Sequence, residues 1–356
     1  MTMQKPPAAP TQRAGFSLQP WKAAYPCLFV AVFLLLLLLP MGKFPGSFDD
    51  FATSFWGYPE LVRAYTGARL RLLGDRVFPG VIAAEENWLV YTEETSLDDF
   101  QNTNPFREAE LAKIQQNLDA VETHLNSQGI AFLVVLVPSK NAIYPETMPP
   151  EVPLIGAQSR MDQVISYQNE HGQARILDLR PALLQAREER QIYLATDTHW
   201  NAYGMLAGYQ AILTALQEDF PQLEAHTLED FRPVPEGWRA GDLSQRWMHG
   251  LLTEERIRLE PRFERKTEQF PLGQQSTQVP GWMLASYNPD SSLPSAVILH
   301  DSFFVEMVPF LADHFRWAIF HWSFQVNDAL ISGEKPDVVI LEVTDRYLFR
   351  LLNVTR

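Results

Sequence analysis

The chain has 356 residues, of which 46% are hydrophobic and 20% charged, enough for one large domain, or one domain with appendages, around a real core. Its formal net charge of −14 excludes an ordinary nucleic-acid binder, which gathers Lys and Arg to neutralise phosphates; a neutral or mildly charged substrate fits better. The lone Cys27 rules out a disulfide framework, and the scattered histidines lack the spacing that sets two metal ligands on one helix face, so neither a metal nor a cofactor is expected.

Residues 1–22, with four prolines among polar residues, read as a disordered cytoplasmic tail. Residues 23–41 are apolar and uncharged, with six leucines from Leu34 to Leu39. That length crosses a bilayer core of roughly 30 Å as one helix. No Ala-x-Ala pattern follows, so the reading is a transmembrane anchor rather than a cleaved signal peptide. Lys5, Arg13 and Lys22 precede the run, and Asp49 and Asp50 follow it. The positive-inside rule then keeps the N-terminus in the cytoplasm and sends the remainder across the inner membrane, into the periplasm or outside.

Residues 42–104 form an extracytoplasmic connecting region punctuated by Gly and Pro. From Phe106 to Ser127, Leu111, Ile114, Leu118, Val121 and Leu125 recur at spacings of three and four, which predicts an amphipathic helix ended by Gly129. Ala131 to Val137 is a valine-rich apolar run suited to a strand buried on both faces. Similar runs stand at Arg175–Leu179, Ala296–Leu299, Trp317–Phe320 and Val338–Val343, and a helical pattern follows Trp200 through Met205, Tyr209, Ile212 and Leu216. This alternation predicts a three-layer α/β fold with a mainly parallel sheet over residues 105–356, loosened by an insertion at about 217–294.

Two segments carry chemistry. In Thr196-Asp197-Thr198-His199-Trp200-Asn201, an Asp and a His two apart precede a helix, where the carboxylate can fix the imidazole tautomer; helix capping is the plainer alternative. In His300-Asp301-Ser302-Phe303, a serine follows a parallel strand, the place where open α/β sheets bind ligands, although an Asp–Ser cap reads the same way. Taken together, Ser302 is a candidate nucleophile, His199 its base and Asp197 the orienter. Lys140 and Tyr144 are candidates for lining a cleft, with a solvated loop lysine the commoner case. Asp345 and Arg346 suggest a structural ion pair, and Trp238, Trp247, Trp282 and Trp322 suggest either core or sugar-stacking surfaces.

The strings TDTHWNAYG at 196–204, HDSF at 300–303, VPSKNAIYPE at 137–146 and PDVVILEVTDRYL at 336–348 resemble the alginate O-acetyltransferase family. The resemblance implies an SGNH-hydrolase-like (flavodoxin-like) catalytic domain, with Asp197, His199 and Ser302 as its triad and Asp-x-His ahead of the serine. It implies acetyl transfer to hydroxyls of an exported polysaccharide, with a membrane-bound O-acyltransferase as acetyl supplier. Ordinary esterases of that fold carry Gly-Asp-Ser where this chain has His300-Asp301-Ser302, which leaves the oxyanion donors unassigned. A carbohydrate acetylesterase and a non-catalytic polysaccharide-assembly protein are the competing expectations.

Overall fold

A computed structural model of the protein describes residues 58–272 and 282–354, together with Phe29 and Ala31. The expected anchor over residues 23–41 lies outside the described residues, among which no helix is long and apolar enough to cross a membrane. The chain divides into a unit ending at Val62 and a unit from Arg63 onward; the account below is of the second. Helix α1, Tyr58–Ala68, begins before that boundary and ends beyond it.

A three-stranded antiparallel meander follows, β1 (Val77–Phe78), β2 (Val81–Ala83) and β3 (Leu89–Tyr91). After α2 (Ser96–Gln101) comes α3 (Glu108–Asn126). Its first turn is closed by the Glu110 carboxylate accepting the Arg107 N–H at 2.8 Å, its buried stripe is Ile114, Leu118, Val121 and Leu125, and Gly129 turns the chain at φ +74°. The remaining elements are β4 (Ala131–Val137), α4 (Lys140–Ile143), α5 (Arg160–His171), β5 (Ile176–Asp178), α6 (Arg180–Arg187), α7 (Ala202–Leu216), β6 (Phe231–Arg239), α8 (Asp242–Met248), β7 (Glu254–Pro261), β8 (Glu268–Leu272), β9 (Met283–Tyr287), β10 (Ser295–His300), α9 (Val308–Ala312), β11 (Trp317–Trp322), α10 (Asp328–Glu334) and β12 (Val338–Thr344).

The main sheet runs β5-β4-β12-β10-β11-β9-β8. The first five strands are parallel and correspond to the five apolar runs; β9 and β8 join antiparallel, so the sheet is mixed. Both come from the stretch read as a loose insertion, which in fact also carries α8 and the β6–β7 ribbon. Pro, Gly and Trp masked the period there, because the exposed edge strand β8 and a solvated ribbon need no continuous apolar run.

Period-two side-chain alternation sorts the central strands onto two cores. Leu133, Val135, Ala296, Ile298, Val338 and Ile340 pack on the α7 and α9 side. Phe132, Val134, Val297, Leu299, Val339 and Leu341 pack on the α3 and α5 side. Counted from β10, the parallel strands take the order 2-1-3-4-5 of a doubly wound sheet, cyclically re-started. The chain leaves β10 for β11 on one side and returns to β12 on the other. The reversal of winding therefore falls between β10 and β12, and their carboxyl ends frame a crevice.

Candidate active site

Ser302 lies two residues past His300, the last residue of β10, in a 3-10 turn capped by the intervening Asp301, whose Oδ1 accepts the Phe303 N–H at 2.8 Å. Asp197 and His199 lie on the loop that enters α7. Asn201 caps that helix, accepting the Tyr203 and Gly204 N–H groups at 2.9 and 3.2 Å, which leaves the side chains just before it free for other work. His199 Nε2 is 2.9 Å from Ser302 Oγ, and His199 Nδ1 is 2.7 Å from Asp197 Oδ1. The three residues form one hydrogen-bonded chain, in which His199 and Ser302 are 103 positions apart in sequence.

Asp197 is held on its far oxygen as well. Oδ2 accepts from Arg256 Nη2 at 2.6 Å and from the Asp242 N–H at 3.0 Å, while Oδ1 also takes the His199 N–H at 3.1 Å. Burial would raise its pKa, but the hydrogen bonds and charges of His199 and Arg256 outweigh that and hold the carboxyl ionised, well below the usual range. Burial alone would lower the His199 pKa. The bond to Asp197 and its charge, with Asp242 behind it, reverse the sign and raise it. Asp242 accepts the Thr198 N–H and hydroxyl at 2.8 and 2.6 Å. Asp197, His199 and Asp242 are close enough to share a cation, but Asp197 is already engaged by Arg256 and Asp242 by Thr198.

The loop is clamped from both sides. Lys140, only 4% exposed, donates to the carbonyls of Leu194, Ala195 and Asp197 at 3.1, 3.0 and 2.7 Å, and its ammonium lies 5.2 Å from the Trp88 ring. Glu254 accepts the Ala195 and Thr196 N–H groups at 2.7 and 2.9 Å and the Thr196 hydroxyl at 2.5 Å. Tyr144 accepts the Ile192 N–H at 2.9 Å. The expectation of a solvated Lys140 is thus corrected, since all three of its protons are spent on carbonyls of the loop. Burial lowers its pKa to about 8, opposed by Glu254, Asp197 and Asp242.

The expected Asp345–Arg346 ion pair is absent among the described residues. Asp345 accepts the N–H groups of Ser139 and Arg346 at 2.7 and 2.6 Å. The Arg346 guanidinium lies over Phe303 and Tyr347, its Nε buried without a partner, in a cleft shared with Thr198 and Asn141. A separate groove of about 790 Å³ is lined by Arg239, Arg256, Arg258 and Glu306. Trp238 is 71% exposed on the β6–β7 ribbon, and Trp282 and Trp322 are partly exposed beside His300. Trp247 packs with the meander.

Arg256, Asp242 and Glu254 were not legible as site residues. The alternation Arg256-Ile257-Arg258-Leu259-Glu260 signals a strand, but nothing local says that its first arginine reaches a carboxylate 59 positions earlier.

A family model described as "SGNH hydrolase-like domain, acetyltransferase AlgX" matches residues 81–278, more than half of the chain. That span contains Asp197 and His199 and stops short of Ser302. A probable alginate O-acetylase AlgJ of Pseudomonas syringae pv. tomato is 27% identical over 216 residues, 54% of this chain and 53% of its own. That of Azotobacter vinelandii is 25% identical over 284 residues, 76% and 70% respectively. The chain therefore spans about half the length of the first relative. Among solved structures, Bacillus cereus PatB1 with a sulfonyl adduct superposes with a TM-score of 0.59 at 16% identity, covering 78% of this chain and 97% of that one. A DHHW family protein from Eubacterium siraeum gives 0.56 at 14% identity, covering 78% and 95%. At such identity these two likenesses speak for the fold alone.

Proposed function

The chain belongs to the AlgX family of SGNH hydrolase-like acetyltransferase domains, and from that premise we propose that it moves an acetyl group, through an acyl-enzyme on Ser302, to a hydroxyl of an exported polysaccharide. The observation that carries this reading is the unbroken Asp197–His199–Ser302 hydrogen-bonded chain at the carboxyl ends of the parallel strands. The polymer named by the relatives, alginate, is the acceptor to try first. The groove beside Arg256 and Glu306 is large enough for sugar residues.

In the first half-reaction Ser302 Oγ attacks the acetyl carbonyl as His199 Nε2 takes the hydroxyl proton. The ester bond of the donor breaks, and His199 returns the proton to the departing oxygen. In the second, the acceptor hydroxyl gives its proton to His199 and attacks the acetyl-serine, and Ser302 leaves with that proton. Asp197 holds Nδ1–H throughout and stabilises the imidazolium, while Arg256 keeps the carboxylate ionised and aimed.

The reading extends to topology. The uncharged run of residues 23–41 and its basic flank support an anchor that holds the domain on the outer side of the inner membrane, where acetyl would come from a membrane-bound O-acyltransferase. The deciding experiment incubates the protein with p-nitrophenyl acetate and locates the label by mass spectrometry. Acetyl on Ser302, discharged faster when an oligosaccharide acceptor is added and recovered on the sugar, is the expected result. Discharge to acetate alone, unchanged by any acceptor, would make it an esterase. A label elsewhere would end the covalent mechanism.

A further inference from the structure

Beneath Ser302 lie two carboxyl groups that the transfer chemistry leaves unused. Asp301 precedes the nucleophile; Glu342 stands on β12 and is wholly buried. The β10–β12 register pairs Leu299 with Leu341, which brings Glu342 beside the backbone leaving β10 for the Ser302 turn. Glu342 Oε2 accepts the Asp301 N–H at 2.8 Å. Asp301 in turn accepts the Phe303 N–H at 2.8 Å through Oδ1 and the Thr344 hydroxyl at 2.5 Å through Oδ2. Thr344 Oγ1 is also 3.4 Å from Glu342 Oε1. The N–H groups of the residues on either side of Ser302 therefore both end on this pair.

Neither carboxyl has an ion-pair partner among the described residues. The groups around Glu342 are Asp301 and His300 at the end of β10, Thr344 on its own strand, and Arg346, whose charge reaches Asp301 without bonding to it. His300 turns Nδ1 to the Asp301 carbonyl, 2.7 Å away, and on the β4 side the neighbours are the apolar Val135 and Val137. Two carboxylates this close in an interior cannot both be ionised without a large penalty. Asp301, with a hydroxyl and backbone N–H groups pointing at its oxygens, is the better placed to carry the charge. Burial first, and then the Asp301 charge, push the Glu342 carboxyl well above the ordinary range.

We propose that Glu342 is a positioning residue for Ser302: held as a neutral carboxylic acid, it shares its proton with the Asp301 carboxylate and accepts the Asp301 N–H, and so fixes the turn that presents the nucleophile to His199. The inference rests on the reading of Ser302 as the acyl acceptor. Alkaline pH removes the shared proton, sets two negative charges against each other under the turn, and slows acylation. The proton is bound in the folded chain and absent from the unfolded one above the ordinary carboxyl range, so the pair's contribution to stability also falls as pH rises.

The test compares the full chain with Glu342→Gln and Glu342→Leu, reading Ser302 acetylation by p-nitrophenyl acetate across pH and the carboxylic-acid band in the infrared. The glutamine can accept the Asp301 N–H and donate to Asp301 without ionising. It should acylate at close to the wild-type rate near neutrality and lose the alkaline step due to the pair, keeping any step due to Lys140. The leucine should slow acylation on the order of tenfold to a hundredfold, the scale set by misplacing a reacting atom by ~1 Å. The acid band should be present in the wild type at neutral pH and absent from Glu342→Gln. A glutamine variant as slow as the leucine variant, an unchanged alkaline step, or no acid band would each overturn the proposal. If the leucine variant does not fold, the glutamine profile and the band decide alone. A wild-type protein with the band but without acetyl on Ser302 would instead overturn the nucleophile assignment and leave the neutral Glu342 standing.

Discussion

Ser302 can lose its proton only to a neutral His199, yet Asp197 and Asp242 favour the charged ring. The acylation rate should therefore rise with pH through a value above the ordinary imidazole range. Asp197→Asn removes the nearest negative charge, so that acid-side midpoint should move down while the rate falls on the order of 10³–10⁴-fold, as expected when the tautomer is no longer held. Stopped-flow acylation against pH reads both, and a midpoint that stays in place would detach Asp197 from His199. The sign for stability is opposite. Because folding raises the His199 pKa, the pair stabilises the fold at pH below the ordinary imidazole value and loses that contribution as pH rises through the raised one. Ser302→Ala, His199→Ala and Asp197→Ala should each remove most transfer, and double variants should be little worse than the more damaging single one, since the groups act as a unit. Kinetics of the doubles measure this directly; losses that multiply would mean independent roles.

The loop from Ile192 to His199 has little regular structure of its own and owes its shape to groups on other elements. Lys140 on α4 gathers three of its carbonyls and Glu254 on β7 takes two of its amides, so a cation and an anion each meet the backbone dipoles of the sign they stabilise. Lys140→Met would leave those carbonyls buried and unpaired, at about 1–3 kcal/mol apiece where water cannot enter. A clear drop in the denaturation midpoint is expected, together with slower acylation because Asp197 belongs to the same loop. Wild-type values of both would show that the clamp is dispensable. Gly241, at the start of α8, gives a test by space alone. A Cβ there would lie 2.4 Å from the Thr196 carbonyl oxygen and 2.6 Å from Asp197 Cβ. Gly241→Ala should therefore displace Asp197 and cut acylation by tenfold or more, on the scale of a ~1 Å misplacement, while the far core keeps its protection in hydrogen exchange.

At the scale of the molecule, Ser302, the proposed nucleophile, stands where the direction of winding reverses, between β10 and β12, and His199, its proposed base, arrives from a loop a hundred residues earlier. The cyclic re-start of the strand order explains why Asp197 and His199 precede Ser302 in the chain although they meet it at the same sheet edge. The proposed anchor makes a prediction at this scale. Deleting residues 1–41 should yield a soluble protein whose Ser302 still accepts acetyl from a small ester, while cells carrying only that form fail to acetylate the exported polymer. Full acetylation in those cells would remove the membrane from the mechanism.

The five parallel strands, α3 and α7 were readable because burial on one or two faces leaves a period in the chain, and apolar runs such as Val338–Val343 need no partner to be recognised. Asp197, His199 and Ser302 stood out for a similarly local reason, as polar residues packed against strand ends and helix starts. Other features have no local signature. The exchange of Lys140 from solvent to a buried clamp, the reach of Arg256 to Asp197, and the meeting of Glu342 with Asp301 each join residues tens of positions apart. Only the sheet register and the crossing of the loops set those distances. A charged side chain in a sequence carries no mark of burial, because its burial is made tolerable by partners that the tertiary fold alone supplies.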